Sequence, residues 1–235
     1  MVERAARIAA NVREVRERIQ AAAQQAGRAA DSVRLVAVTK YVGSDDIRAI
    51  LAAGVRDLGE SRPQTLVEKA QTLSDESIVW HLIGPWQTNK VKLALPCVGW
   101  LHAGDRLRLL EAVDAALPAA RPPLDVLLEV NISGDATKHG FSPEQLEPLL
   151  PKLVQLRGIR VRGLMAMSGL ESDSDQVRRE FTAVRVLRDR LAGVSPPELS
   201  WDQLSMGMSG DFEAAIAEGA TMVRVGSALF EGLDA

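Results

Sequence analysis

LSMGMSGDFEAAIAEGATMVRVGSALF, residues 204–230, reads as an apolar run, a turn, a short helix and a second apolar run. LSMGM (204–208) has strand composition, Ser209-Gly210-Asp211 is turn chemistry, Phe212–Glu218 has helical spacing, and MVRVGSA (222–228) returns to strand composition. A strand, a helical crossover and a second strand in so short a span argue for two neighbouring parallel strands. Small residues follow both runs, Ser209-Gly210 after the first and Gly226-Ser227 at the end of the second.

The same alternation extends back through the chain. Runs rich in Val, Ile and Leu recur at VRLVAVTK (33–40), VRDLGE (55–60), IVWHLIG (78–84), WLHAGD (100–105), LDVLLEVNI (124–132) and RVRGLMAM (160–167). Between them lie helical segments with their own punctuation. Ser44 is read as an N-cap ahead of Asp45 and Asp46, with Gly54 as the stop. Ser142, Pro143 and Gln145 form a capping box for a helix read as ending at Gly158, with Pro148 and Pro151 interrupting its regularity. Further crossovers are expected at 62–73, 86–95, 105–117, 173–192 and 210–219. Eight such units predict an α/β fold, a (β/α)8 TIM barrel of the size typical at roughly 250 residues. An open doubly wound sheet is the less favoured alternative, because no GxGxxG turn follows the first strand. No linker divides the chain, so residues 1–235 are read as one domain. Within residues 1–29 an extra amphipathic helix carries Ile8, Val12, Val15 and Ile19 at helical intervals and is expected to pack on the barrel.

Composition limits the functions available. With 46% hydrophobic and 25% charged residues, 235 residues can bury a full core. A net charge of −3 gives no general attraction for nucleic acid. Cys97 is the single cysteine, so an internal disulfide is impossible and a reducing, cytoplasmic setting is expected. The N-terminal stretch lacks the apolar core of a secretory signal, and no run is long enough for a membrane span. His81, Cys97 and His102 match no common zinc spacing, and no metal is expected.

In a barrel of this type the functional groups sit where strands end. That rule selects Lys40, Glu60, His81, Asp105, Asn131, Met167, Met208 with Ser209, and Gly226 with Ser227. A lysine at the mouth can form a Schiff base with a carbonyl, although most lysines after a strand are simply surface residues. Turns at Ser209-Gly210-Asp211 and Gly226-Ser227, after the last two strands, can hold a phosphate through backbone N–H groups. A plain helix N-cap accounts equally well for Ser209 or Asp211 taken alone. Arg224 lies two residues before Gly226, on the same strand face. If that face is interior, a cation lies beside a bound ring; the alternative is a core arginine paired with Glu60 or another acid. Together these groups point to a phosphorylated aldehyde.

Five strings, AVTK (37–40), GES with Gln64 (59–64), HLIGPWQTNK (81–90), GLMAM (163–167) and the 204–230 segment, closely resemble the pyridoxal phosphate homeostasis proteins, the YggS/PROSC family. The resemblance spans nearly the whole chain. It implies a barrel similar to the N-terminal domain of alanine racemase, holding pyridoxal 5′-phosphate (PLP) as a Schiff base on Lys40. It further implies that Ser209, Gly226 and Ser227 bind the phosphate and that Arg224 faces the pyridine nitrogen. His81 and Met208 complete the expected cofactor-binding set. Ser61 departs from the asparagine usual after Gly-Glu. Tyr41, the one tyrosine, is expected to point away from Lys40 as its neighbour on a strand.

Racemisation requires a second proton donor opposite the lysine, which alanine racemases draw from a further domain. Here the final strand is followed only by Phe230–Ala235. The expected function is therefore to hold PLP and take part in its intracellular supply without substantial catalysis, with PLP-dependent apo-enzymes as partners and a monomeric state. The alternative is a racemase or related enzyme of the same barrel class, using His81 or another rim residue as the opposite base.

Overall fold

In the computed structural model, which describes residues 2–74, 76–135, 139–169 and 173–233, eight strands close into one barrel. They are β1 (Arg34–Val38), β2 (Asp57–Glu60), β3 (Val79–Leu82), β4 (Trp100–Gly104), β5 (Leu124–Glu129), β6 (Ile159–Met165), β7 (Gln203–Ser205) and β8 (Met222–Val225). Each pairs in parallel with the next, and β8 closes on β1 with Val36 opposite Arg224. This is the (β/α)8 architecture expected from the alternating runs.

The crossovers are α2 (Ser44–Ala52), α3 (Pro63–Thr72), α4 (Val91–Ala94), α5 (Leu107–Ala116), α6 (Pro143–Leu153), α7 (Ser174–Val194) and α8 (Phe212–Ala217). A 3-10 turn at Thr88–Lys90 precedes α4, and another at Ser227–Leu229 follows β8. Local chemistry explains most boundaries. The Ser142–Gln145 capping box opens α6, and Gly54 leaves α2 at φ +81°. Two readings shift. Ser44 is the first helical residue and Gly43 the cap, a one-residue displacement. Helix α6 ends at Leu153, and Gly158 instead stands directly before β6, its N–H donating to Asp114 Oδ1 of α5 at 2.5 Å.

Alternation along each strand sorts the side chains. Leu58, Leu82, Leu101, Val126, Leu128, Leu204 and Val223 are fully buried on the face beneath the helices. Glu60 lies on that same face and pairs with Lys69 of α3 at 2.5 Å, so it is sealed under the helix and Arg224 does not pair with it. The inner face is unusually polar toward the start of the strands. There Arg34 and Arg162 lie over the Trp100 ring, and Asp125 accepts from Arg160 at 2.6 Å.

Gly163 marks a register shift between β5 and β6. Its φ of +147° suits only glycine, and a Cβ there would run into the Gln203 carbonyl. Close approach of β7 to β6 depends on that missing carbon.

The N-terminal helix α1 (Val2–Gln25) buries Ile8, Val12, Val15 and Ile19 against the barrel, as their spacing indicates. It also braces the end of the chain. Asn11 Nδ2 donates to the carbonyls of Leu229 at 3.2 Å and Glu231 at 3.0 Å, holding the 3-10 turn that begins at Ser227. Arg18 lies over the Phe212 ring at 4.7 Å and pairs with Glu213 of α8 at 2.6 Å. Both segments after the last two strands are therefore backed by one helix.

Candidate functional site

A cavity of about 650 Å³ opens at the C-terminal ends of the strands. Lys40, Tyr41, Ser61, Met167, Met208, Ser209, Gly210, Arg224, Gly226 and Ser227 all line it. Six of the seven residues expected to bind a cofactor thus share one space; His81 is the exception.

Lys40 reaches the cavity because β1 stops at Val38 and the chain then turns, with Val42 N–H donating to Thr39 O at 3.1 Å. The same turn reverses the expectation for Tyr41. Strand alternation no longer applies beyond Val38, and the Lys40 amine sits 4.8 Å from the centre of the Tyr41 ring. Tyr41 is 87% exposed, so this contact forms at the lip of the cavity.

The anion cradle joins the loops after β7 and β8. Ser209 Oγ accepts from the Gly226 N–H at 3.1 Å and the Ala228 N–H at 3.4 Å, tying one loop to the other. Among the described residues, the backbone N–H groups of Ser209, Gly210 and Ser227 make no hydrogen bond. Three uncommitted donors on cavity-lining residues are what a phosphate needs, and their pairing by an anion would satisfy groups otherwise left bare. Gly210 adds clearance, since a Cβ built there meets nothing within 4 Å.

Two features absent from the sequence reading shape this cradle. Asp211 Oδ1 accepts from the Met208 N–H at 2.6 Å while its Oδ2 accepts from Ser168 Oγ at 2.7 Å, which folds the loop back on itself. Gly207 has φ +92°, and a Cβ there would lie 2.7 Å from Ala215 Cβ, so glycine lets α8 approach the strand end. The Gly at 207 and an acid four residues on are the available sequence signal for this close turn.

Arg224 faces inward, fully buried. Its guanidinium donates to Ser205 O at 2.7 Å, Ser205 Oγ at 2.6 Å and Ala166 O at 2.9 Å. Burial lowers its pKa to about 10, opposed by the charges of Glu129 and Asp211. At neutral pH it remains a cation at the cavity wall.

Glu129, at the end of β5, is held up to about 7 by burial and by the neighbouring Asp105 charge, with Arg224 pulling the other way. Asp105 itself pairs with Arg106 at 2.5 Å, and Asn131 donates to Asp135 O at 2.7 Å within its own loop. Neither lines the cavity.

His81 must be placed differently from the sequence expectation. It pairs with Gly59 and Trp100 inside β3, one residue before the strand ends, has no exposed surface, and stacks on Trp100 with rings 5° from parallel. Its Nε2 meets Asp57 at 2.9 Å and its Nδ1 meets His102 at 2.8 Å. Burial lowers the pKa of both histidines. Sealed beneath the cavity, His81 cannot serve as an opposite-face base.

A lysine at the lip, an anion cradle after the last two strands and a buried cation between them make a (β/α)8 barrel suited to a phosphorylated carbonyl compound. Comparison with known families agrees: residues 5–234 match the alanine racemase N-terminal domain. The chain belongs to the pyridoxal phosphate homeostasis protein family. It is 43% identical to the protein of that name from Pseudomonas aeruginosa, over 97% of this chain and 96% of the relative, and 39% identical to that of Escherichia coli K12, over 97% of both. Among solved structures, PipY of Synechococcus elongatus with PLP bound superposes with a TM-score of 0.84 at 32% identity, over 95% of this chain and 99% of the other.

Proposed function

We propose that this protein binds PLP at the barrel mouth and contributes to PLP homeostasis. The observation that carries the reading is that Lys40 shares one cavity with the Ser209 and Gly226-Ser227 turns and with Arg224. PLP supplies an aldehyde for a lysine amine and a phosphate for an anion cradle. Lys40 holds the aldehyde end. Ser209, Gly210 and Ser227 offer their free N–H groups to the phosphate, and Ser209 keeps the two loops joined. Arg224, fixed by three acceptors, presents positive charge to the ring edge and disfavours a proton there.

The PLP-bound PipY structure and the names of the relatives support this reading. Beyond binding, we propose that the protein works as a cytoplasmic monomer and passes its cargo to PLP-dependent apo-enzymes. Exposure of the cavity lip at Tyr41 and Met167 supports exchange without unfolding.

The test is equilibrium titration of apo-protein with PLP, followed in the visible spectrum, for wild type and Lys40→Ala. One site per chain, with the visible band lost and affinity reduced in the variant, is expected. Equal binding with an unchanged band in Lys40→Ala would reject the assignment. Mixing loaded protein with an apo-enzyme in the presence of a scavenger for free PLP tests transfer; reactivation no faster than with free PLP would reject that step.

A further inference from the structure

Four side chains that the proposed function does not use run in an unbroken line from the start of β2 to the cavity. Asp57 Oδ1 lies 2.9 Å from His81 Nε2, His81 Nδ1 lies 2.8 Å from His102 Nε2, and His102 Nδ1 lies 2.9 Å from Ser205 Oγ. Ser205 Oγ then accepts from Arg224 Nη1 at 2.6 Å. The residues come from β2, β3, β4, β7 and β8, so the line crosses the barrel interior.

Chemistry assigns every proton in this line. A carboxylate can only accept, so a neutral His81 donates from Nε2 to Asp57 and accepts at Nδ1, while Ser205 accepts from the donor-only Arg224 guanidinium and gives its own O–H to His102. His102 then accepts at Nδ1 and carries its proton on Nε2, which it donates to His81 Nδ1. His81 likewise carries its proton on Nε2 and donates to the Asp57 carboxylate. Complete burial favours neutral rings, as this arrangement demands. Each dipole turns its lone pair toward Arg224 and its hydrogen toward Asp57, so the line stabilises a cation at one end and an anion at the other. The opposite direction would aim the His81 Nε2 lone pair at the Asp57 carboxylate and is forbidden.

We propose that Asp57, His81, His102 and Ser205 form a one-way hydrogen-bonded chain that positions Arg224 and holds its charge toward the bound PLP ring. These are positioning residues, and the inference rests on the PLP site proposed above. Arg224 is also faced by the Ala166 carbonyl after β6, by Glu129 on β5 and by Asp211 before α8; the histidine pair is faced by Arg34 on β1 as well as by Asp57. Among the described residues, the hydrogen-bond partners of the His81 and His102 rings are those of the chain.

Two measurements test it. In the apo-protein, imidazole nitrogen NMR should show His81 and His102 both as neutral Nε2–H tautomers; an Nδ1–H tautomer at either would overturn the chain without reference to PLP. In the loaded protein, the pH midpoint of the visible band should shift by roughly half a unit or more in Ser205→Ala and in Asp57→Asn, which lies far from the cavity. Ser205→Thr keeps a hydroxyl and should restore the wild-type midpoint, and the double variant should shift no further than the larger single one. Variants that load PLP with unchanged midpoints would overturn the proposal, whereas wild type that fails to load would reject the PLP site and leave the tautomer test standing. Should Ser205→Ala not fold, Asp57→Asn and Ser205→Thr carry the same comparison.

Discussion

Asn11 lies on the N-terminal helix, outside the barrel, yet replacing it should weaken the PLP site. Its amide donates two hydrogen bonds to the carbonyls of Leu229 and Glu231, and Leu229 is fully buried. Leu229 closes the turn that starts at Ser227 and carries part of the anion cradle, and Glu231 lies just beyond it. A net contribution near 1 kcal/mol per bond gives Asn11→Ala a cost of about 2 kcal/mol. For a chain of this length that corresponds to a fall in Tm of about 4–8 °C. Asn11→Asp has the same shape but replaces the donor with an acceptor facing two carbonyl oxygens, and its cost at neutral pH should be larger, about 3–5 kcal/mol. The sign with pH follows: the introduced carboxyl is favoured in its protonated, donating form, so its folded pKa lies above the unfolded value. The deficit is therefore smallest in acid and grows as pH rises through the folded value. Thermal unfolding by circular dichroism at acid and neutral pH, with PLP affinity measured alongside, provides the assay. Asn11→Asp as stable as wild type at neutral pH, or equally destabilised at both pH values, would refute this account of the brace.

Other perturbations address the barrel and its mouth. Gly207→Ala should cost about 2–4 kcal/mol, because it combines a φ of +92° with a carbon 2.7 Å from Ala215 Cβ, and should lower PLP affinity by displacing α8; urea unfolding and PLP titration check both. Lys69→Met leaves Glu60, 1% exposed, without its cation and should cost about 3–5 kcal/mol in the same unfolding assay. Glu129, held up to about 7 from an ordinary 4.5, contributes fully below pH 4.5 and loses that contribution as pH rises through 7. Glu129→Gln should therefore gain about 3 kcal/mol over wild type at pH 8 relative to pH 4, which unfolding curves at the two pH values measure.

The barrel was legible because eight apolar runs and their intervening helices recur at one spacing, and because caps such as Ser142–Gln145 act locally. Lys40, Ser209, Arg224, Gly226 and Ser227 were legible for a related reason: strand ends in this fold converge on one rim. What failed was depth along a strand. The run 33–40 looks continuous, but β1 stops at Val38, so Tyr41 turns toward Lys40 instead of away. The run 78–84 likewise made His81 look like a rim residue, although pairing with Gly59 and Trp100 fixes it below. Register between strands decides such heights, and it depends on contacts far apart in the chain. The Asp57-to-Arg224 line joins residues of five strands, and no local pattern announces it. Asn11 was hidden in the same way, acting through two hydrogen bonds to a distant loop, and so was the bond from Ser168 to Asp211, a residue legible only as a helix cap.

Borohydride reduction of the PLP-loaded protein followed by peptide mapping tests the central claim most directly. The account predicts that the pyridoxyl group is fixed on the peptide containing Lys40 and that Lys40→Ala takes up none. Label recovered on another lysine, with Lys40 unmodified, would contradict it.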